Sequence, residues 1–78
     1  MFTIFDANRI METFQIKEEY IQLNQLIKAM GWVTNGAEAN AAIDGGAVKV
    51  NGVVELRRRN KIVKGFKVEF NKQIILID

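Results

Sequence analysis

The dipeptide Asn51-Gly52 lies between two short valine-rich segments and constrains the fold of this chain more than any other feature. Asn-Gly is typical of a type I′ turn, because both central residues of that turn need positive φ angles. Val48 and Val50 share one face of the strand before the turn, and Lys49 projects from the other face. Residues 46–56 are therefore predicted to form a β-hairpin.

A first helix is predicted upstream of the hairpin, from about Glu18 to Met30. Apolar residues recur there three or four positions apart, so they line one side of a helix. They are Tyr20, Leu23, Leu26, Ile27 and Met30. The pair Glu18-Glu19 would complement the positive end of the helix dipole, and Gly31 is a stop signal.

A second, shorter helix is predicted to begin at Thr34 or Asn35. Asn35 and Glu38 have the spacing of a capping box, in which each side chain accepts a hydrogen bond from an N–H group at the helix start. The pair Gly45-Gly46 would end this helix. Its narrow apolar stripe would pack against the first helix and consists of Ala39, Ala42 and Ile43.

Two further strands are predicted after the hairpin, at residues 66–70 and 73–77, with a turn at Asn71-Lys72. Residues 13–16 alternate apolar and polar side chains and permit one more short strand. The predicted fold class is α+β, with two packed short helices followed by a small, mostly antiparallel sheet.

The chain is predicted to hold one domain, which spans residues 13–78. Residues 1–12 show no clean periodicity and are predicted to be an N-terminal extension. Two alternatives stay open for this extension. Its apolar residues add a short strand, or it is mobile and Met11 is the natural start.

The composition excludes several classes of function. The 78 residues include no cysteine, histidine or serine. Disulfides, the usual zinc sites and acyl transfer by a Ser or Cys with a His base therefore cannot be built. We expect no cofactor and no enzymatic activity. The longest apolar run has far fewer than the roughly 20 residues that span a bilayer. No secretory signal is recognisable, so a cytoplasmic location is expected.

Charge is distributed unevenly along the chain. Residues 1–44 hold three basic and six acidic side chains, a net charge of −3, and residues 45–78 hold eight basic and three acidic, a net charge of +5. Six cations lie between positions 57 and 67 with no acidic residue among them. They define a basic segment at residues 57–67 and are Arg57, Arg58, Arg59, Lys61, Lys64 and Lys67. This pattern indicates either a solvated face or a surface for a polyanion, and it favours RNA.

A set of residues from the helices, the hairpin and the basic segment occurs together in one known family. The set consists of Leu23, Leu26, Glu38-Ala39, Ile43, Gly46-Ala47-Val48-Lys49-Val50-Asn51-Gly52, Lys61 and Gly65. In these positions the chain resembles the S-four RNA-binding domain, which is named after ribosomal small-subunit protein four. The resemblance covers residues 20–70 and is greatest to the free-standing, single-domain bacterial members.

The resemblance implies an L-shaped pair of helices, backed by the sheet, that docks on structured RNA, with ribosomal RNA as the first candidate. The contact surface would consist of the N-terminus of the second helix, the hairpin and the basic segment. The predicted RNA-binding residues are Thr34, Asn35, Gly36, Asn40, Lys49, Asn51, Arg57, Arg58, Arg59, Lys61 and Lys64. A monomer without membrane attachment or a small-molecule substrate is expected.

This chain departs from the family pattern in the helices. The family has two basic residues after the Glu-Ala of the second helix, where this chain has Asn40 and Ala41. Either the affinity for RNA comes from the hairpin and the basic segment, or the partner differs.

The alternative function is a protein-interaction or self-association module, with residues 74–77 as an exposed apolar edge. Trp32 is expected to pack against the core, although an exposed indole could instead stack on a base.

Overall fold

Within the described residues, five strands pair into one mixed sheet, and two helices pack on one face of it. This arrangement comes from a computed structural model, which describes residues 11–78. Within that range the elements are β1 (Met11–Phe14), β2 (Ile21–Gln22), α1 (Leu23–Ala29), α2 (Gly36–Asp44), β3 (Val48–Val50), β4 (Val53–Val54), β5 (Lys61–Ile62), β6 (Lys67–Phe70) and β7 (Gln73–Ile77). The predicted α+β fold class is confirmed.

The sheet has the order β1-β7-β6-β3-β4. The pair β1–β7 is parallel and the other three pairs are antiparallel, while β2 and β5 form a separate antiparallel pair. The predicted exposed edge at residues 74–77 is therefore wrong, because β7 lies between β6 and β1. Among the strands of residues 11–78, β1 and β4 lie at the two edges of this sheet.

The predicted hairpin at Asn51-Gly52 is confirmed. The two turn residues have φ angles of 54° and 86°, and Val50 pairs with Val53 across the turn. The Asn51 side-chain oxygen also accepts a hydrogen bond from the Lys67 N–H at 2.9 Å, and the Asn51 N–H donates to the Lys67 carbonyl at 2.8 Å. These two bonds fasten the hairpin turn to the start of β6.

Helix α1 begins at Leu23, so the predicted start at Glu18 is wrong. Residues 21 and 22 instead pair with β5. The N–H groups of Leu23 and Asn24 donate to the carbonyl oxygens of Asn60 and Arg58, at 2.9 and 3.0 Å. A segment distant in sequence thus satisfies the first donors of the helix, and the pair Glu18-Glu19 lies outside it.

The core lies between the two helices and one face of the sheet. Its buried side chains are Leu23, Leu26, Ile27, Ala39, Ile43, Val48, Val50, Ile62, Val68, Ile75 and Ile77. Trp32 packs against this core with its ring stacked on Phe70 at 5.7 Å between centroids, which confirms the packing role expected of it. Because side chains alternate along a strand, Lys49 and its cross-strand neighbour Glu69 lie on the opposite face.

Residues 1–10 lie outside the described range, and with them most of the predicted extension. Residues 11 and 12 belong to β1. No helix in residues 11–78 is both long and apolar enough to cross a membrane. The boundaries of the predicted domain stay a prediction.

Candidate nucleic-acid interface

The basic segment forms a loop that the backbone holds against helix α1. We call residues 57–61 the basic loop. Its carbonyl groups at Arg58 and Asn60 accept the first two N–H groups of α1, and an Asn60 N–H to Arg57 carbonyl bond of 3.2 Å closes the turn within it. The loop is therefore anchored by backbone hydrogen bonds, independently of its cationic side chains.

Three cations of the basic loop line one shallow cleft of about 370 Å³. The lining residues are Arg57, Arg59, Asn60 and Lys61. Within residues 11–78, Arg59 and Lys61 have no carboxylate partner. The cleft thus combines positive charge with an amide, and it offers hydrogen-bond donors to an anion.

Arg57 forms an ion pair with Glu55, an acidic residue just before the cationic positions 57–67. Its Nε donates to Glu55 Oε2 at 3.0 Å and its Nη2 donates to Oε1 at 3.2 Å, while the Asn60 amide donates to the same carboxylate at 3.1 Å. The hydrogen bond from the Arg57 guanidinium is the main reason that the pKa of Glu55 lies below its usual value. The Arg57 side chain is nevertheless 75% exposed, against 15% for Glu55.

Arg58 joins the basic loop to the end of helix α2. Its Nε donates to Asp44 Oδ1 at 3.0 Å and its Nη2 donates to Oδ2. This hydrogen bond holds the pKa of Asp44 below its usual value. Both side chains are about half exposed, so Arg58 has a structural role and still lies at the surface.

The N-terminus of α2 already holds an internal carboxylate. The Asn35 side chain accepts the Glu38 N–H at 2.8 Å, which confirms Asn35 as the N-cap. Glu38 Oε1 accepts from the Thr34 N–H at 2.7 Å and from the Thr34 hydroxyl at 2.9 Å, whereas a standard capping box would use the N–H of Asn35. A phosphate at Thr34, Asn35 and Gly36 would meet the negative charge of Glu38.

Asn40 lies between the N-terminus of α2 and the ion pair of Asp44 with Arg58. Gly36, Asn40 and Asp44 follow one another at four-residue intervals, so they lie on one face of α2. The Asn24 amide of α1 donates to Asn40 Oδ1 at 3.4 Å. One face of α2 therefore runs from the helix N-terminus past Asn40 to the Asp44–Arg58 ion pair.

The other predicted site residues lie elsewhere. Lys49 is exposed on the sheet face opposite to the helices, and the side-chain oxygen of Asn51 is bound to the Lys67 N–H. Lys64 is exposed in the turn between β5 and β6. The structure thus brings together the basic loop and one face of α2, and it does not bring Lys49 to them.

Comparison with known proteins assigns this architecture to a family. The model of the S4 domain family matches residues 14–78. The chain belongs to the S4 domain family.

Two relatives of this S4 domain are 48% identical to it over 61 residues, which cover 77% of the chain and 87% of each relative. They are "Putative RNA-binding protein YbcJ" of Escherichia coli K12 and YbcJ of Shigella flexneri. The solution structure of Escherichia coli YbcJ has a TM-score of 0.64 and 42% identity, covering 83% of this chain and 84% of that one. That structure is described as revealing an alpha-L motif involved in RNA binding. The predicted family resemblance is confirmed.

Sequence reasoning missed the acidic partners within this S4 domain. Glu55 lies two residues before Arg57, and this proximity was a usable signal. Asp44 is fourteen positions before Arg58, and no local pattern connects them. In residues 11–78 no cluster of three acidic side chains could hold a metal ion.

The lowered pKa of Asp44 predicts that its contribution to the stability of the S4 domain depends on pH. Because the folded-state pKa lies below the ordinary value of 3.8, the stabilisation is complete above that value and is lost as the pH falls through the folded-state pKa. The difference in free energy of unfolding between the parent and Asp44→Asn should therefore be largest near pH 6 and shrink below about pH 4. Urea unfolding followed by Trp32 fluorescence measures it. A difference that stayed constant down to pH 2.5 would contradict this prediction.

Proposed function

We propose that this S4 domain binds structured RNA through the basic loop and the adjoining face of α2, as a monomer and without enzymatic activity. The observation that carries the proposal is the cleft in which Arg57, Arg59 and Lys61 converge on a loop held by backbone hydrogen bonds. The relative named an RNA-binding protein, and the alpha-L motif described in its structure, support the same function.

The chemistry of the basic loop suits the phosphate backbone. A guanidinium carries five N–H donors, so Arg57 and Arg58 retain donors after their bonds to Glu55 and Asp44. Arginine forks and lysine ammonium groups both bind phosphate oxygens well. A-form RNA hides the base edges of its major groove, so a small rigid surface reads shape, phosphates and 2′-hydroxyl groups.

The contributions along this surface are unequal. We assign the main phosphate contacts to Arg59, Lys61 and Arg57, because Glu38 opposes an anion at Thr34, Asn35 and Gly36. Asn40 lies between the N-terminus of α2 and the basic loop, and its side chain can hydrogen-bond a ribose or a phosphate. Ribosomal RNA is the structured RNA that we propose first, and a cytoplasmic location suits this partner.

Binding to an RNA hairpin should weaken steeply as salt is added. If the basic loop and its neighbours neutralise about four phosphates, the logarithm of the binding constant falls with the logarithm of the salt concentration with a slope of about −3. Fluorescence anisotropy with a labelled RNA hairpin, between about 50 and 300 mM KCl, measures this slope. No binding at the lowest salt concentration, or a slope near zero, would rule out the proposed function.

Self-association is the second candidate, and one observation favours it. The edge strand β4 exposes Val53 and Val54, by 69% and 46%, and Leu56 just beyond the strand is 58% exposed. Exposed apolar edges invite pairing with another strand. Light scattering on the purified protein, with and without nuclease, separates the two functions. A monomer that carries nuclease-sensitive material favours RNA, and a stable dimer without it favours self-association.

A further inference from the structure

Tyr20 lies at the surface, although its spacing predicted a place on the packed side of a helix. The strand pair β2–β5 replaces the first turns of the predicted helix, so Tyr20 precedes Ile21 in non-helical backbone and its side chain is 39% exposed. The Lys61 ammonium lies 5.0 Å from the centroid of the Tyr20 ring, in a cation–π contact.

A cleft of about 320 Å³ adjoins this ring. Its walls include the apolar side chains Phe14, Ile16 and Ile21, and Tyr20 lines it as well. This volume is at the lower end of the range for pockets that hold small ligands. The cleft is therefore large enough for a single planar ring system.

The polar groups of the cleft match the edge of a nucleobase better than a phosphate. Gln15, Lys17, Glu18 and Gln25 line it together with the apolar walls. The two amides donate and accept hydrogen bonds, and the Glu18 carboxylate accepts from an exocyclic amino group. The charges of Lys17 and Glu18 offset each other, so the lining has no net positive charge to hold a phosphate, and its apolar walls and amides favour a base as the occupant.

Lys61 makes this cleft continuous with the basic loop. It lines the cationic cleft beside Arg59, and the same side chain contacts the Tyr20 ring. The pairing of Gln22 with Lys61 in β2–β5 fixes the two segments side by side. An RNA whose phosphates contact Arg59 and Lys61 would therefore have a neighbouring base within reach of Tyr20.

We propose that the cleft beside Tyr20 binds one unstacked nucleobase of the RNA, with the Tyr20 ring as its stacking platform. This inference rests on the proposed function and adds a site that prefers RNA with an unpaired nucleotide. Proteins that recognise RNA bases commonly stack unpaired bases on aromatic side chains. Such stacking changes affinity by roughly 5- to 150-fold per base.

Two RNA hairpins that differ only in one bulged adenine test this inference. The parent protein should bind the bulged hairpin at least about fivefold more tightly than the fully paired one, measured by fluorescence anisotropy at one salt concentration. Tyr20→Leu keeps an apolar side chain and removes the ring, so it should bind both hairpins equally. Tyr20→Phe should keep the preference.

Leu56→Ala is the matched control, because it removes an exposed apolar side chain that does not line the cleft. It should keep the preference, and circular dichroism should show each variant folded. Equal binding of both hairpins by the parent, or an unchanged preference in Tyr20→Leu, would overturn the base site and leave the proposed function intact. Failure of the parent to bind either hairpin at low salt would overturn both.

Discussion

Replacing Arg59 and Lys61 together with alanine should weaken binding to structured RNA about 30- to 100-fold at 50 mM salt. Each lost phosphate contact should also reduce the steepness of the salt dependence by about one unit. The log–log slope of the double variant should therefore fall from about −3 to about −1. Fluorescence anisotropy against one RNA hairpin, over a series of salt concentrations, measures both quantities.

The size of this effect follows from where the two cations lie. Both line the 370 Å³ cleft, and neither has a carboxylate partner within residues 11–78. Both are exposed, so alanine should leave the fold intact. Arg57 and Arg58 are less suitable for this test, because their substitution would also remove the partners of Glu55 and Asp44.

The charge-matched control is the double variant Lys49→Ala/Lys67→Ala, which removes two positive charges from the sheet face opposite to the helices. We expect its affinity for RNA to change less than about threefold, since neither lysine lines the cationic cleft and salt weakens the effect of exposed charges outside the contact. Equal losses in the two double variants would contradict a localised site, and would show that net charge alone governs the affinity.

The elements that the sequence predicted correctly are those that form through interactions between residues close together in the chain. Asn51-Gly52 supplies positive φ angles at the place where the hairpin needs them. Asn35 caps helix α2 with its own side chain. Alternation places the valines of β3 in the core and Lys49 on the other face. Each of these features depends on residues within a few positions of one another, so a single sequence can reveal it.

The features that the sequence did not reveal depend on pairing between distant segments. The parallel pairing of β1 with β7 joins residues more than sixty positions apart and turns the predicted edge into an interior strand. The antiparallel pair β2–β5 likewise replaces the first turns of the predicted helix α1. Periodicity alone does not distinguish a short apolar strand from a helix turn, and tertiary contacts decide between them.

The candidate site also combines a local feature that the sequence revealed with contacts between distant segments that it did not. The cluster of cations was visible in the sequence, and three of its members line one cleft. The ion pair of Arg58 with Asp44 and the contact of Lys61 with Tyr20 join different elements, so neither could be read from spacing. These contacts determine which cations form ion pairs with carboxylates and which are available to a ligand.

Ile43→Ala should lower the free energy of unfolding by about 2–5 kcal/mol. Ile43 is fully buried on α2, in the core cluster that joins both helices to the sheet. The loss combines the transfer of the removed methyl and methylene groups with the cavity that they leave. A core of this size supplies about 3–5 kcal/mol of net stability, so this variant should retain at most about 3 kcal/mol at 25 °C.

Urea unfolding monitored by Trp32 fluorescence tests this prediction, because Trp32 is the single tryptophan and stacks on Phe70. Ile43→Val should cost about 0.5–1.5 kcal/mol and keeps the transition measurable if the alanine variant is unfolded. Leu56→Ala removes a side chain of similar size at an exposed position and should change stability by less than about 0.5 kcal/mol. If the substitutions at Ile43 cost no more than the one at Leu56, then α2 would not be packed on the sheet as described. The face that carries Asn40 and Asp44 would then have no fixed position beside the basic loop.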